Sequence, residues 1–341
     1  MLASLRRALQ DHGLDALYFS GTDPHMSEYL CDHWQVRRWI SGFTGSFGEV
    51  VVTAYDAVLW TDSRYFLQAE AELAGTGFRM LPLRVAGAVP PEQWLATHLA
   101  IGARVGFDPL TLPLGSYRRF REVLDPRGIL LTAVPGIPEE LWHDRPPLPG
   151  HPVTEHDESL SGENRAAKHA RITEALAAHQ ADMTLLTSLS DLAWSFNLRG
   201  RDIPYNPVFL GYGIIGRDYN HLFTRPGALD PLLEEKLRQE GIVTAPYETF
   251  FSFLRELRGL SVLVDPSSAS CGVYLALRDH CRVVEAPSPA EMLKAVKNKT
   301  ELEGFRESMR RDGVALVQFL DWLRERSEER RVGKECRARW A

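Results

Sequence analysis

The amino-acid sequence predicts an α/β protein made of two copies of one layered module, with the first helix of a third domain behind them. Three observations lead there. Short apolar runs alternate with helix-like segments, the pattern of strands and helices stacked in layers. The same series of segments occurs twice, on either side of a stretch rich in Pro, Gly and His. Beyond Pro289 the alternation gives way to one long amphipathic helix.

In the first copy, residues 2–12 read as a helix because Leu2, Leu5, Ala8 and Leu9 share one face, and His12-Gly13 ends it. Residues 14–19 form a short buried strand, and 20–25 carry turn chemistry. Residues 26–41 read as part helix and part loop. The Gly-rich stretch from Gly42 to Gly48 precedes a strand (50–52), not a helix, and lacks the lysine of a phosphate-binding loop. It reads as a tight turn with close backbone approach. The run 57–60 is a strand that stops at Thr61-Asp62, where Asp62 is placed to cap a helix over 66–74. Arg64 then falls on the first turn, where the helix dipole disfavours a cation. Either it pairs locally with Asp62 or a later Glu, or its guanidinium is aimed at a partner outside the domain. A strand (79–83), a helix (91–100), a strand (104–107) ending at Asp108-Pro109, a helix (115–124) and a strand (129–133) complete the copy.

The expected division is a first domain over 1–140, a linker over 141–162 and a second domain over 163–288. In the second, residues 165–179 are helical and 181–186 match the strand 14–19. Residues 208–215 and 221–224 replace the strands at 50–52 and 58–61. A helix (231–240), a strand (242–245) and a helix (249–257) follow. Val264-Asp265-Pro266 then echoes Phe107-Asp108-Pro109, and Tyr274 within a helix over 271–280 echoes Tyr117. The second copy has Arg225-Pro226-Gly227 where the first has the Asp-x-Arg-Tyr segment.

Residues 289–325 are expected to begin a further domain that the chain does not complete. Thr300 and Glu303 have capping-box spacing. Leu302, Phe305, Met309, Val314, Leu316, Val317, Leu320 and Leu323 then stripe a helix that needs something to pack on. Residues 326–341 lose the periodicity, and their back-translation resembles sequencing-adapter read-through, so they are expected to be a non-native tail, the alternative being a solvated, charged C-terminal tail.

Composition narrows the function. Apolar content of 44% and charged content of 25% are those of a globular protein. A net charge of −6 gives no basic footprint, which argues against nucleic acid as a partner. No apolar run reaches membrane-spanning length, and the N-terminus lacks the features of a signal peptide. Cys31, Cys271, Cys281 and Cys336 show no metal or redox spacing and read as reduced cytosolic thiols. The eleven histidines include no zinc motif. Asp23, His25 and Glu28 would make an incomplete metal trio, with local hydrogen bonding the alternative. Asp191, Trp194, Asn197, Arg199, Arg201, Asp202 and Asn206 read as a domain-interface hydrogen-bond network. No nucleophile with a base and an orienting group is evident.

Several long motifs occur in order: His25-Met26-Ser27-Glu28-Tyr29, the run from Arg37 to Ser46, Trp60-Thr61-Asp62-Ser63-Arg64-Tyr65-Phe66, the run from Phe196 to Phe209, and Lys294-Ala295-Val296-Lys297-Asn298. With these the sequence closely resembles aminopeptidase P, the three-domain, cytosolic Xaa-Pro aminopeptidase, over roughly residues 1–325. The resemblance implies two tandem creatinase N-terminal-like domains, each a mixed sheet flanked by helices. It implies that the long helix opens a pita-bread catalytic domain missing from this chain. In the family that domain holds two metal ions, usually manganese, on two Asp, one His and two Glu, none of which maps here. The metals polarise the scissile carbonyl and activate a bridging water. The substrates are peptides with proline second, and the N-terminal residue is released. The resemblance gives Arg64 a role, reaching from the first domain toward bound peptide as a forked donor. Ser63 stands where Gly is common in animal members. A cytoplasmic homodimer is implied for the full-length protein, and this chain alone is expected to be inactive. The alternatives are a non-catalytic binding or scaffold short form, and a related pita-bread hydrolase such as creatinase.

Overall fold

Each module is organised around one central strand buried along its whole length. A computed structural model describes residues 1–326. The tail expected over 326–341 lies outside the described residues except for Arg326. The first module runs through α1 (Leu2–Asp11), β1 (Ala16–Phe19), α2 (Val36–Ser41), β2 (Glu49–Thr53), β3 (Ala57–Thr61) and α3 (Phe66–Leu73). It continues through β4 (Arg79–Pro82), α4 (Pro91–His98), β5 (Arg104–Phe107), α5 (Leu114–Leu124), β6 (Leu130–Ala133) and α6 (Ile137–Leu141). All four residues of β1 are buried, as a strand covered on both faces requires. The sheet order is β4-β3-β2-β1-β5-β6.

The second module contains α8 (Arg165–Ala178), β8 (Met183–Leu186), α9 (Leu189–Ser195), β9 (Leu198–Arg199), β10 (Gly211–Gly216) and β11 (Asn220–Thr224). Then come α10 (Pro231–Gln239), β12 (Val243–Pro246), α11 (Phe250–Glu256), β13 (Ser261–Val264), α12 (Cys271–Leu277) and β14 (Arg282–Glu285). Its sheet order is β12-β11-β10-β8-β13-β14, the first sheet repeated strand for strand. Each pairing also keeps its sense: β1–β2 and β8–β10 are antiparallel, β1–β5 and β8–β13 parallel. Even the entry to the central strand is copied. Asp15 accepts from the Arg104 amide and Asp182 from the Ser261 amide, each pinning the start of the neighbouring parallel strand.

The two modules meet through those copied segments. The Leu114 amide donates to the Ala269 carbonyl, and the Cys271 amide donates to the Leu112 carbonyl, at 2.9 and 2.8 Å. The Gly115 amide donates to the Pro266 carbonyl, and the Gly272 amide to the Pro109 carbonyl, at 3.0 and 2.8 Å. With Asp108 set against Asp265, Leu114 corresponds to Cys271, Leu112 to Ala269, Gly115 to Gly272 and Pro109 to Pro266. The exchange is therefore reciprocal, as at a two-fold interface between identical subunits. Tyr117 and Tyr274, matched in the sequence, face each other with ring centroids 6.4 Å apart. Arg118 lies over the Tyr274 ring and pairs with Glu285.

Four features go beyond the sequence reading or correct it. The segment expected as a linker is ordered: β7 (Thr154–Glu155) pairs with β9, and α7 (Glu158–Ser161) follows. The stretch 189–195, read only as part of a polar cluster, is the helix α9, and β14 was not foreseen. The long helix also starts earlier than Thr300. After α13 (Pro289–Ala295) comes α14 (Lys299–Arg326), whose capping box is Asn298 with Glu301. Asn298 Oδ1 accepts from the Glu301 amide, and Glu301 Oε2 accepts from the Asn298 amide, both at 2.9 Å. The eight stripe residues of α14 are 37–66% exposed.

A Cβ at Gly272 would lie 2.9 Å from the Pro109 carbonyl oxygen, so the reciprocal contact admits no side chain there. Gly272→Ala is expected to destabilise the chain by about 1–3 kcal/mol, read from the urea midpoint. Gly304→Ala on exposed α14, where a Cβ meets nothing within 4 Å, is the control expected to cost nothing.

Candidate functional site

Arg64 sits on the turn Ser63–Tyr65 between β3 and α3, with Asp62 as its cap. Asp62 Oδ1 accepts from the Arg64 amide at 3.1 Å and from Arg64 Nε at 3.0 Å, while Oδ2 accepts from Nη2 at 2.8 Å. The local pair is thus made, and it answers the dipole argument: the carboxylate that caps the turn also neutralises its cation. This fork braces one edge of the guanidinium. Nη1 has no hydrogen-bond partner among the described residues, and the side chain is 58% exposed. Arg64 holds Asp62 below the usual carboxylate range, and Asp62 in turn raises Arg64. The exposed Glu28 carboxylate adds to that effect on Arg64.

A second arginine shares the site. Arg84 lies over the Phe47 ring at 4.1 Å, with Nη1 3.9 Å from Asp62, and its own φ is 57°. Two cations therefore face a single buried carboxylate.

The Gly-rich stretch supplies the wall. Tyr65 Oη and Ser46 Oγ hydrogen-bond at 2.6 Å, and Thr61 Oγ1 donates to the Phe47 carbonyl at 2.7 Å. Gly48 must lack a side chain, because a Cβ would lie 2.7 Å from the Trp60 carbonyl oxygen. The loop is held from inside by Arg37. This buried guanidinium donates to the carbonyls of Gly45, Ser46 and Gly48 and has no carboxylate partner among the described residues. Burial pushes it down to about 10. Sequence reading missed Arg37 and Arg84. The available signal for Arg37 was a cation on the i, i+3 face of Ile40 within an apolar helix.

Asp23, His25 and Glu28 do not converge. Asp23 Oδ1 accepts from the amides of His25 and Ser27. His25 crosses to the second module. Its Nδ1 is 2.9 Å from the Thr187 carbonyl, which fixes the proton there, so Nε2 accepts from Tyr247 Oη at 2.8 Å. Glu28 stays exposed.

The expected 191–206 network divides: its bonds do not join the two modules, and two of them reach the segment after residue 289 that was expected to begin the third domain. Asp191 pairs with Lys294 at 2.6 Å, and Trp194 Nε1 donates to Glu301 at 3.1 Å, both at the root of α14. Asn197 receives the buried Lys168 ammonium at 2.6 Å. Asp202 accepts from the amides of His151 and Leu210. Arg199 donates to the Ala193 and Leu198 carbonyls, Arg201 is exposed, and the Asn206 carbonyl accepts from the Val208 amide.

Among the described residues no three or more His, Cys, Asp or Glu side chains are grouped to hold a metal ion. These residues do not fit a dinuclear centre. No helix among them is long and apolar enough to cross a membrane.

Residues 1–141 and 144–301 each match a family described as the creatinase/prolidase N-terminal domain. This chain is two creatinase/prolidase N-terminal domains in tandem. The tandem domains are 33% identical to Xaa-Pro aminopeptidase 1 of Dictyostelium discoideum, covering 96% of this chain and 53% of that protein. Against human Xaa-Pro aminopeptidase 2 the identity is 32%, covering 94% and 49%. The crystal structure of X-prolyl aminopeptidase from Caenorhabditis elegans, described as a cytosolic enzyme with a di-nuclear active site, superposes with a TM-score of 0.89. That protein is 29% identical, over 95% of this chain and 55% of its own. The resemblance to aminopeptidase P read from the motifs is borne out. The chain spans about half the length of the relatives it matches.

Two predictions follow from this geometry. Burial lowers the His25 pKa against the pull of Asp23, so the ring is neutral when folded and takes a proton more readily when unfolded. Its contribution is whole above about pH 6.5 and is lost as pH falls below that value. His25→Phe should therefore be less stable than the parent at pH 7.5, with the gap in urea midpoint narrowing toward pH 5.5. Arg37→Ala strands three loop carbonyls and should cost about 3 kcal/mol, with faster proteolysis between residues 42 and 48.

Proposed function

We propose that this chain is the substrate-docking half of a metal-dependent Xaa-Pro aminopeptidase, which removes the first residue from peptides with proline second. The observation that carries the reading is the Arg64 fork. Asp62 holds Nε and Nη2, and Nη1 of this half-exposed side chain is left without a hydrogen-bond partner among the described residues. A guanidinium fixed on one edge presents its other edge at little entropic cost. Arg64 is then the donor to a peptide carbonyl or carboxylate, and Asp62 its positioning residue.

The relatives named Xaa-Pro aminopeptidase support the reaction, and the C. elegans enzyme's di-nuclear site supports a metal requirement. Two manganese ions are the proposed occupants, on ligands outside residues 1–326, because the described residues group no ligand set. A cytosolic working place is proposed by likeness to the C. elegans enzyme.

Two assays test the reading. The 341-residue chain with added Mn2+ should not cleave an Arg-Pro-Pro peptide, and turnover would show that catalysis lies within it. In a longer chain that joins these two domains to a di-nuclear site such as that of the C. elegans enzyme, Arg64→Ala should lower kcat/KM roughly 10- to 100-fold, the worth of one charged hydrogen bond. Arg64→Lys should recover little, because an ammonium cannot pair with Asp62 and substrate in one plane. Unchanged kinetics in Arg64→Ala would remove the proposed role.

A further inference from the structure

A cavity of about 830 Å³ opens on the second module, away from the Asp62–Arg64 turn in sequence and built from other elements. One wall is the end of the inter-module segment, including His151, Pro152 and Thr154. The other is the loop that follows β9, from Arg199 through Tyr205 to Pro207.

The polar groups of this cavity are one-sided. Arg201 is exposed and has no hydrogen bond or ion pair with a described residue. Arg199 spends only Nη1, on the Ala193 and Leu198 carbonyls, leaving Nε and Nη2 uncommitted. His151 uses Nδ1 on Asp202 and keeps Nε2 toward solvent. Asp202 is the acid beside this wall. It is 3% exposed, and its oxygens are taken by the His151 amide and ring and by the Leu210 amide. Two guanidiniums and an imidazole thus line the space, and the nearby acids are Asp202 and Glu301. The charge of Glu301 reaches the half-buried Arg199, and its oxygens accept from Trp194 Nε1 and the Asn298 amide. Arg201 is the cation left unanswered among the described residues.

The loop is also stiff. The Asp202 amide bonds to the Val208 carbonyl at 3.1 Å, and the Asn206 amide to the Ile203 carbonyl at 3.2 Å. At its tip Tyr205 is fully exposed with φ 61°, a left-handed conformation costly for a non-glycine residue. Pro204 and Pro207 flank the tyrosine. A strained loop that holds an aromatic ring wholly in water, beside uncommitted guanidiniums, is pre-organised for a ligand.

We infer that this cavity binds an acidic peptide segment, with Arg201 and Arg199 taking its carboxylates and Tyr205 and the prolines taking its apolar backbone face. Guanidiniums match carboxylates in plane and charge. The proline and tyrosine walls give a bare inorganic anion nothing to contact, whereas an extended chain fills them. Nucleic acid is disfavoured by the net charge of −6 and by the single aromatic ring at the rim. The site is independent of the Arg64 reading and needs no turnover.

The test is fluorescence anisotropy on the 341-residue chain at low salt with a dye-labelled Asp-Glu-Pro-Asp-Glu-Pro peptide. Saturable binding is expected, weakened at least tenfold when Asn and Gln replace Asp and Glu in the peptide. Arg201→Glu should weaken it at least tenfold and Tyr205→Ser several-fold. Both side chains are exposed, so unchanged melting midpoints are expected to accompany those losses. The inference is overturned if no saturable binding occurs, if the neutral peptide binds equally, if Arg201→Glu binds like the parent, or if oligo-dT binds more tightly than the acidic peptide.

Discussion

Four main-chain hydrogen bonds between residues 109–115 and 266–272 fix how the two modules sit. They occupy backbone groups at the starts of α5 and α12, where helices always have amides to spare. Each helix lends its spare donors to the loop that precedes the other. The arrangement demands glycine at 272, where a Cβ would lie 2.9 Å from the Pro109 carbonyl oxygen, and is merely tight at Gly115, where the distance to the Pro266 carbonyl oxygen is 3.3 Å. His25 adds a side-chain tie on another side of the contact, reaching Thr187 and Tyr247. Through these ties the Arg64 turn, in the first module, is held in a set relation to α14, which is rooted in the second by Asn298, Glu301 and Lys294.

Within the first module, Arg37 shows how an unpaired buried cation can be tolerated. Its partners are carbonyl dipoles, which keep it charged without neutralising it. A carboxylate there would have made a self-contained ion pair. Three carbonyls instead make the guanidinium the hub on which the glycine loop turns, and that loop anchors Tyr65 and Phe47 beneath the two exposed arginines.

Much of the layout was legible because repetition is legible. The match of 14–19 with 181–186 announced the copied sheets, and the Asp-Pro echo at 108 and 265 marked the segments that turned out to touch. Asp62 was readable as a cap because a carboxylate after an apolar run has few other roles. What failed to show was what depends on distant partners. His25 looked local, since nothing in its neighbourhood reveals Thr187 or Tyr247. The 189–195 helix was hidden because it is buried nearly all round, which erases the amphipathic period. The inter-module segment, rich in Pro and His, reads as loose composition, yet β7 adds its two residues to β9.

The reciprocal contact also explains how the two copies could grow apart. Its bonds run between amides and carbonyls, so the side chains at those positions carry little of the pairing. Leu112 faces the role of Ala269, and Leu114 that of Cys271, without loss of a single main-chain bond. After a gene duplication, such a seam leaves each half free to drift. One half could acquire an outward-facing arginine and the other a rooted helix, while the junction between them stayed unchanged.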